Sequence, residues 1–416
     1  MAIFERMMAS LGYGRMRPDE GRSFGSGGGV AQSGVVVTCE AAAQYGVIQS
    51  VQEVLAGNCS TLPFQVFRKD GDARVLLPDH PVNVILNQQP NDRQTAQEFR
   101  DEQTRHLVFE RNCYARILSA NGAPISGLEA IHPSRIGKIE RSAEGRVFYT
   151  VAPLGTGTQE VLRDDEIWHI RKAPLTVDGL RGRPVYETGR EEIGRALAVE
   201  YYGARFFKNS GRSGGLLKHP GNFRTKEDRE AFLENWRSSS TGAAQHSDRL
   251  LTHGADYVPL SVQNNDAQFI ETLRQVEVKV ARLWQMPPHR VGILDRATNN
   301  NIEHQGIDYV VHCLAPWISA WEQAASRDLL IGDERHNLFC EFNVAGLLRG
   351  DIKARYAAYA LGRQWGWLSV NDVKRLENQR PIGPDGDRYL EPHNMKRAGD
   401  GDEPGNDREP TGAAGE

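Results

Sequence analysis

Apolar positions recur with two different periods along the chain. Over 40 to about 60, in EAAAQYGVIQSVQEVLAGNCS, Tyr45, Val47, Val51, Val54 and Leu55 fall at helical spacing. LPFQVFRKDG then switches to the two-residue alternation of a strand and ends in a turn. TAQEFRDEQTRHLVFERNCYARIL predicts a helix running into a strand, and PISGLEAIHPSRIGKIE, RVFYTVA and DEIWHIRK predict short alternating strands. This part reads as an α+β domain.

The pattern after about 185 is helical. In VYETGREEIGRALAVEYYGARFFKNSG, the residues Ile193, Ala196, Leu197, Tyr201, Ala204 and Phe207 make one apolar stripe. An insert over about 213 to 262 follows, and in it Thr225 and Asp228 have the spacing of an N-cap and its capping partner. A second long helix places Phe269, Leu273, Val276, Val280, Leu283 and Trp284 on one face. Two prolines stop it, and the polar stretch HRVGILDRATNNN leads to a third helix that Pro316 should kink. The order is helix, small insert, helix, polar loop, longer helix.

Composition narrows the class. A chain of 416 residues, 39% hydrophobic and 25% charged, is long enough for two or three cores. A net charge of −4 with pI near 6.3 argues against a basic coat clinging to nucleic acid. Cys39, Cys59, Cys113, Cys313 and Cys340 are too widely spaced for a zinc knuckle or a redox pair, and suit a reducing compartment. No stretch reaches the ~18 uninterrupted apolar residues of a membrane span. Residues 1 to about 35 end in a glycine-serine run and predict a flexible arm; the Gly-, Pro- and acid-rich tail from about 396 predicts disorder.

Catalytic motifs are missing where they would be specific: the chain has no GxxxxGK[ST], HExxH or GxSxG. Asp164, Asp165 and Glu166 with His169 could hold a metal for phosphodiester hydrolysis, but an acidic turn into a strand explains them better. His304 and His312 lie two helical turns apart, too far for one metal. PIGPDGDRYLEP matches a calcium loop only loosely through Asp385 and Asp387. Trp284, Trp317, Trp321, Trp365 and Trp367 have the apolar neighbours of core or subunit contacts rather than of base-stacking platforms. Residues alone thus predict a large non-catalytic assembly component, with no metal and no cofactor.

The residues from about 40 to 395 resemble the portal proteins of long-tailed phages and of related prophages and gene transfer agents. Carrying the likeness are Met286 with Pro287, Gly292, Asn301 with Glu303, His304 and Gln305, and Leu314 with Pro316. QEVLAGNCSTLPFQVFRKDG, DDEIWHIRK, RFFKNSGRSGGLLKHPG and LSVNDVKRLENQRPIGPDGDRYLEPHN add to it. Two departures stand out: RNCYA, with Arg111 and Cys113, where the family has GNAYA, and Asn299 and Asn300 where a Tyr-Ser pair is common.

The resemblance implies a portal-type α+β fold and a division of the chain. Residues 36–184 would be the wing, 185–212 and 263–286 two stem helices, and 213–262 the clip. The tunnel loop would cover 287–301, a long kinked helix returning to the wing 302–345, and the crown 346–395. It implies a ring, by family habit twelve-fold, at a capsid vertex, assembled in a bacterial host's cytoplasm. Double-stranded DNA would pass the loop residues Arg290, Asp295, Arg296, Thr298, Asn299, Asn300 and Asn301. The terminase large subunit and then a head–tail connector would dock at the clip, on Arg224, Lys226, Glu227, Asp228, Arg229 and Glu230, and the ring would sit in the major capsid protein's shell. The weighed alternatives are a metal-dependent packaging nuclease and another connector ring.

Overall fold

The computed structural model describes residues 29–71, 73–119, 125–208, 215–218, 223, 225–238, 256–259, 266–293, 306–332, 334–344, 347, 352–377 and 379–390. The chain divides into two units, Met1–Val344 and Ala345–Glu416.

The first unit opens with a small hairpin, β1 (Gly29–Val30) paired with β2 (Val36–Val37). The helix expected over 40–60 is in fact two, α1 (Cys39–Ala43) and α2 (Gly46–Thr61). Thr38 Oγ1 caps α1 by accepting the Ala41 N–H at 3.1 Å, and the extended backbone of Tyr45 separates the pair. β3 (Phe64–Asp70), β4 (Ala73–Leu76) and α3 (Pro81–Asn87) follow. α4 (Ala96–Glu110) starts where Thr95 and Glu98 form a reciprocal capping box, and it runs directly into β5 (Asn112–Leu118).

β6 (Gly127–Ile131), β7 (Ile136–Arg141), β8 (Val147–Val151), β9 (Glu160–Arg163) and β10 (Ile167–Arg171) complete two antiparallel three-stranded sheets, ordered β10–β5–β6 and β7–β8–β9. After α5 (Val185–Thr188) come α6 (Arg190–Lys208), β11 (Gly215–Lys218), α7 (Lys226–Ser238), β12 (Asp256–Pro259) and α8 (Asp266–Ala281). A π-helical stretch, Tyr309–Leu314, leads into α9 (Ala315–Asp328), then α10 (Glu334–Asn337) and β13 (Leu338–Phe342). β13 pairs antiparallel with β3, setting Phe342 opposite Phe64, so that residue 342 closes onto residue 64. The mixture is α+β, as the alternating periods predicted.

α2 lays Ile48, Val51 and Leu55 against Phe99 and Leu107 of α4, all buried. Phe64 stacks on Phe342 at 4.0 Å between centroids and meets Trp321 edge-on at 6.3 Å. Each large apolar side chain so buried contributes about 1.5–3 kcal/mol. A smaller cluster of Tyr114, Ile131, Ile136, Tyr149, Leu162 and Ile167 fills the space between the two sheets. The second unit comprises α11 (Ile352–Gln364), α12 (Val370–Leu376) and a 3-10 turn at Pro384–Asp387.

Two further expectations change. Where the sequence predicts a flexible arm to residue 35, the hairpin at 29–37 packs on α6, with Ala31 and Val37 buried. Ser33 Oγ donates to the Gly194 carbonyl at 2.9 Å, and the Gln32 N–H donates to the Glu191 carboxylate at 3.0 Å. Gly194 makes this possible, because a Cβ there would overlap the Ala31 methyl. The α6 stripe also turns away from its expected line: Tyr201 and Ala204 are exposed. Gly203 is the buried position instead, because its missing side chain lets the Phe269 ring of α8 approach. Phe207 lies outside the residues whose side chains are described.

Candidate functional site: a helical arm and its polar loop

α6 and α8 pack on each other and carry the insert between them. At their base Ile193, Ala196 and Leu197 of α6 and Val276 and Val280 of α8 enter the main core. A 3-10 turn, Arg282–Trp284, ends the second helix. There the Trp284 indole N–H donates to the Val108 carbonyl at 2.9 Å, tying the arm to α4. Gln285 takes a left-handed backbone (φ 56°), Met286 is buried, and a second 3-10 turn runs over Pro288–Val291.

The polar loop begins from this anchored root. Arg290 is exposed, and its guanidinium lies 4.6 Å from the centroid of the Tyr309 ring. Tyr309 is itself buried, and its hydroxyl accepts from Asn58 Nδ2 of α2 at 2.7 Å. Burial pushes the Tyr309 hydroxyl's pKa up, so it stays protonated. Arg290 at the start of the loop, Tyr309 beyond its end and Asn58 on α2 are therefore linked at its base through the Tyr309 side chain. Asp295, Arg296, Thr298, Asn299, Asn300 and Asn301 lie outside the described residues, as does His304.

Beyond the loop, the kink predicted at Pro316 takes a specific form. The proline has no N–H to give, and its ring crowds the carbonyl four residues earlier. The helix relaxes into π geometry over Tyr309–Leu314, where the Ala315 N–H reaches back five residues to the Val310 carbonyl. Trp317 and Trp321 of α9 are then buried, as is Trp284, while Trp365 and Trp367 of the second unit are 43% and 74% exposed.

In the insert, β11 and β12 pair antiparallel and α7 begins at Thr225, whose hydroxyl accepts the Asp228 N–H at 3.1 Å. Lys226, Glu227, Asp228, Arg229 and Glu230 are all exposed. Lys226 and Glu230 pair at 3.8 Å one helical turn apart. The first turn of α7 is thus a mixed-charge surface, open to a partner. Arg224 lies outside the described residues.

The residues weighed as metal ligands are otherwise engaged. Asp164, Asp165 and Glu166 form the turn between β9 and β10, and Glu166 accepts the Arg163 N–H at 2.9 Å. That backbone bond, first among several, lowers the Glu166 carboxyl's pKa. His169 points inward, bonded to Asn112 Oδ1 and the Tyr149 hydroxyl, both at 3.2 Å, while Trp168 faces Trp321 on the other side of the sheet. Among the described residues no three His, Cys, Asp or Glu side chains gather in a way that could hold a metal. Asp385 and Asp387 pair with Arg388 and Arg375 in a surface turn, and His312 is exposed beside Asp308.

The profile described as "Phage portal protein" matches residues 47–378. The chain belongs to the phage portal protein family. It is similar to the probable portal protein of Streptomyces phage phiC31, 28% identical over 394 residues, with 91% of this chain and 84% of the relative covered. The portal protein of Enterobacteria phage HK97 is 28% identical over 331 residues, covering 78% of this chain and 76% of the relative. The fold resembles the crystal structure of an HK97 family phage portal protein from Corynebacterium diphtheriae, at TM-score 0.57 and 15% identity, over 76% of this chain and 99% of that one. It also resembles a chain in the virion of a native gene transfer agent particle, at TM-score 0.56 and 17% identity, covering 92% and 100%.

This portal protein is accordingly a virion component of the capsid vertex, from a family that is structural rather than enzymatic. Sequence reading singled out Arg290 but missed Asn58 and Tyr309. Their contact joins residues 251 apart, and neither stands in a pattern that announces it.

Proposed function

We propose that the portal protein assembles as a ring, by family habit of twelve copies, whose channel passes double-stranded DNA into and out of the capsid. The observation that carries this is the family match across the whole succession of helix, insert, helix, loop and returning helix. Similar chains come from a gene transfer agent particle neck computed with C6 and with C12 symmetry, which supports a ring without fixing this chain's number.

The loop chemistry suits passage rather than grip. Each phosphate a cation neutralises ties movement to the release and rebinding of counterions, so dense pairing would brake the DNA. Asparagine and threonine supply neutral hydrogen bonds, and Arg290 and Arg296 supply few charges. Arg290, at the described root, shares its charge with the Tyr309 ring. Weak contacts repeated around a ring add up. In this reading the first turn of α7, Lys226 to Glu230, receives the terminase large subunit during packaging and a head–tail connector afterwards, and the ring sits in the major capsid protein's shell.

Imaging of the purified protein with mass determination tests the ring. Closed rings with a central channel are the expected result; a monomer at every concentration would overturn the reading. In a packaging assay, Arg290→Ala, which frees the loop's root from the Tyr309 ring, should slow DNA entry while leaving rings intact.

A further inference from the structure

Arg111, between α4 and β5, has a left-handed backbone (φ 59°) that side-chain-bearing residues rarely adopt. It is 8% exposed. Its Nη1 donates to the Ala173 carbonyl and its Nη2 to the Leu283 carbonyl, each at 3.3 Å, and the guanidinium lies 5.3 Å from the centroid of the Trp317 indole. Lys172 comes to the same ring at 4.7 Å and donates from Nζ to the Pro316 carbonyl at 2.8 Å. Backbone packing seals the place: the Lys172 N–H donates to the Arg111 carbonyl at 2.9 Å, and a Cβ on Gly182 would overlap Arg111.

Four elements meet there: the end of α4, the chain just past β10, the last turn after α8 and the start of α9. Among the described residues, the two cations meet carbonyls and an indole face and pair with no carboxylate. Burial lowers the pKa of both, and Arg111 lowers that of Lys172 further. Leu283 lies in the last helical turn, where carbonyls lose their helical partners and the helix dipole favours a cation. A planar guanidinium holds its Nη1 and Nη2 donors in fixed, diverging directions, so it fixes the spacing of carbonyls on two separate elements better than the compact, rotating ammonium of a lysine.

We propose that Arg111 is a positioning residue: it latches the C-terminal end of α8 to the α+β body, and so sets the base from which the polar loop starts. Glycine at this position would ease the backbone and lose the latch. The role concerns a single chain and stands apart from the ring reading.

Hydrogen exchange on the full-length protein, with wild type beside Arg111→Gly and Arg111→Lys, tests it together with the thermal midpoint. Arg111→Gly should speed exchange over residues 276–286 on the order of tenfold, since bonds to a charged group are lost. Segments 47–60 and 338–342 should exchange as in wild type, and the midpoint should hold or rise because the backbone is relieved. Arg111→Lys, keeping charge without the fork, should fall between the two. Wild-type exchange over 276–286 in both variants would overturn the latch. Faster exchange everywhere with a lower midpoint would make Arg111 an ordinary packing residue instead. Should the glycine variant fail to fold, the lysine variant reads the same ratio of local to reference exchange.

Discussion

The two units are held together by different physics. In the first, aromatic and branched side chains of α2, α4, β3 and α9 turn inward, and Phe64, Trp168 and Trp321 are wholly buried. In the second, the described residues that are buried are Gly362, Ser369, Asn371 and Gly386, while Tyr356, Leu361, Trp367 and Ile382 are each at least half exposed. Its order comes from polar contacts. Ser369 and Asp372 form a capping box, Asn371 bonds the Gly383 carbonyl and the Ile382 N–H, and Arg355 and Tyr359 converge on Glu377. The described part of this unit buries little apolar surface and so contributes little hydrophobic free energy to set against chain entropy. Disturbances should therefore reach the units by different routes.

The largest effect belongs to the core. Trp321→Ala should cost the first unit about 3–5 kcal/mol through the cavity it leaves, read as a lower melting midpoint; an unchanged midpoint would mean the aromatic cluster is not the keystone. Acid comes next. Burial keeps His169 neutral with its pKa well below the usual value, and burial and then His132 push His106 down to about 3. The unfolded chain then binds protons that the folded chain refuses. Stability should fall as pH drops below about 6.5, by at most ~1.4 kcal/mol per unit for each histidine.

Glu110 acts in the opposite sense, since burial raises its carboxyl's pKa and the folded state takes its proton first. The comparison that isolates the imidazole is His169→Gln, which should flatten the slope of stability against pH by one histidine's share. An identical slope in that variant would rule His169 out as the cause. The second unit has no histidine among its described residues and should not share this response.

Smaller still, Asn371→Ala strands two backbone groups and should loosen the second unit by about 2 kcal/mol. Exchange would rise over 369–387 and stay flat in the first unit; a rise in both would merge two units that are here distinct. Smallest is salt. Arg375 bridges Asp372 and Asp387 at 3.0 and 3.1 Å while more than half exposed, so molar salt should weaken the second unit by less than ~1 kcal/mol. No change in its exchange would show these bridges to be idle.

Much of the scaffold was legible because local chemistry wrote it. Thr95 with Glu98 and Thr225 with Asp228 marked helix starts, alternation marked the strands around 112–171, and Pro316 marked the break in the third helix. The loop was legible as a polar segment between two helices. Its anchoring was not, because the Arg290–Tyr309–Asn58 contact depends on which helix packs beneath the loop's root. The hairpin at 29–37 was hidden by its composition. A glycine-serine run looks featureless until Gly194 is found on the facing helix.

By itself, the sequence determined the α+β class, the order of helix, insert, helix and loop, and the family likeness. These rest on periodicity, capping and breakers, which act over a few residues and need no partner. Only the tertiary structure decided that the helix break becomes a π turn, that α6 meets α8 through Gly203, and that Arg111 takes a left-handed backbone to reach carbonyls on two other elements. Each depends on atoms far apart in the chain competing for one place, where close packing and unpaired carbonyls, rather than local preference, set the outcome.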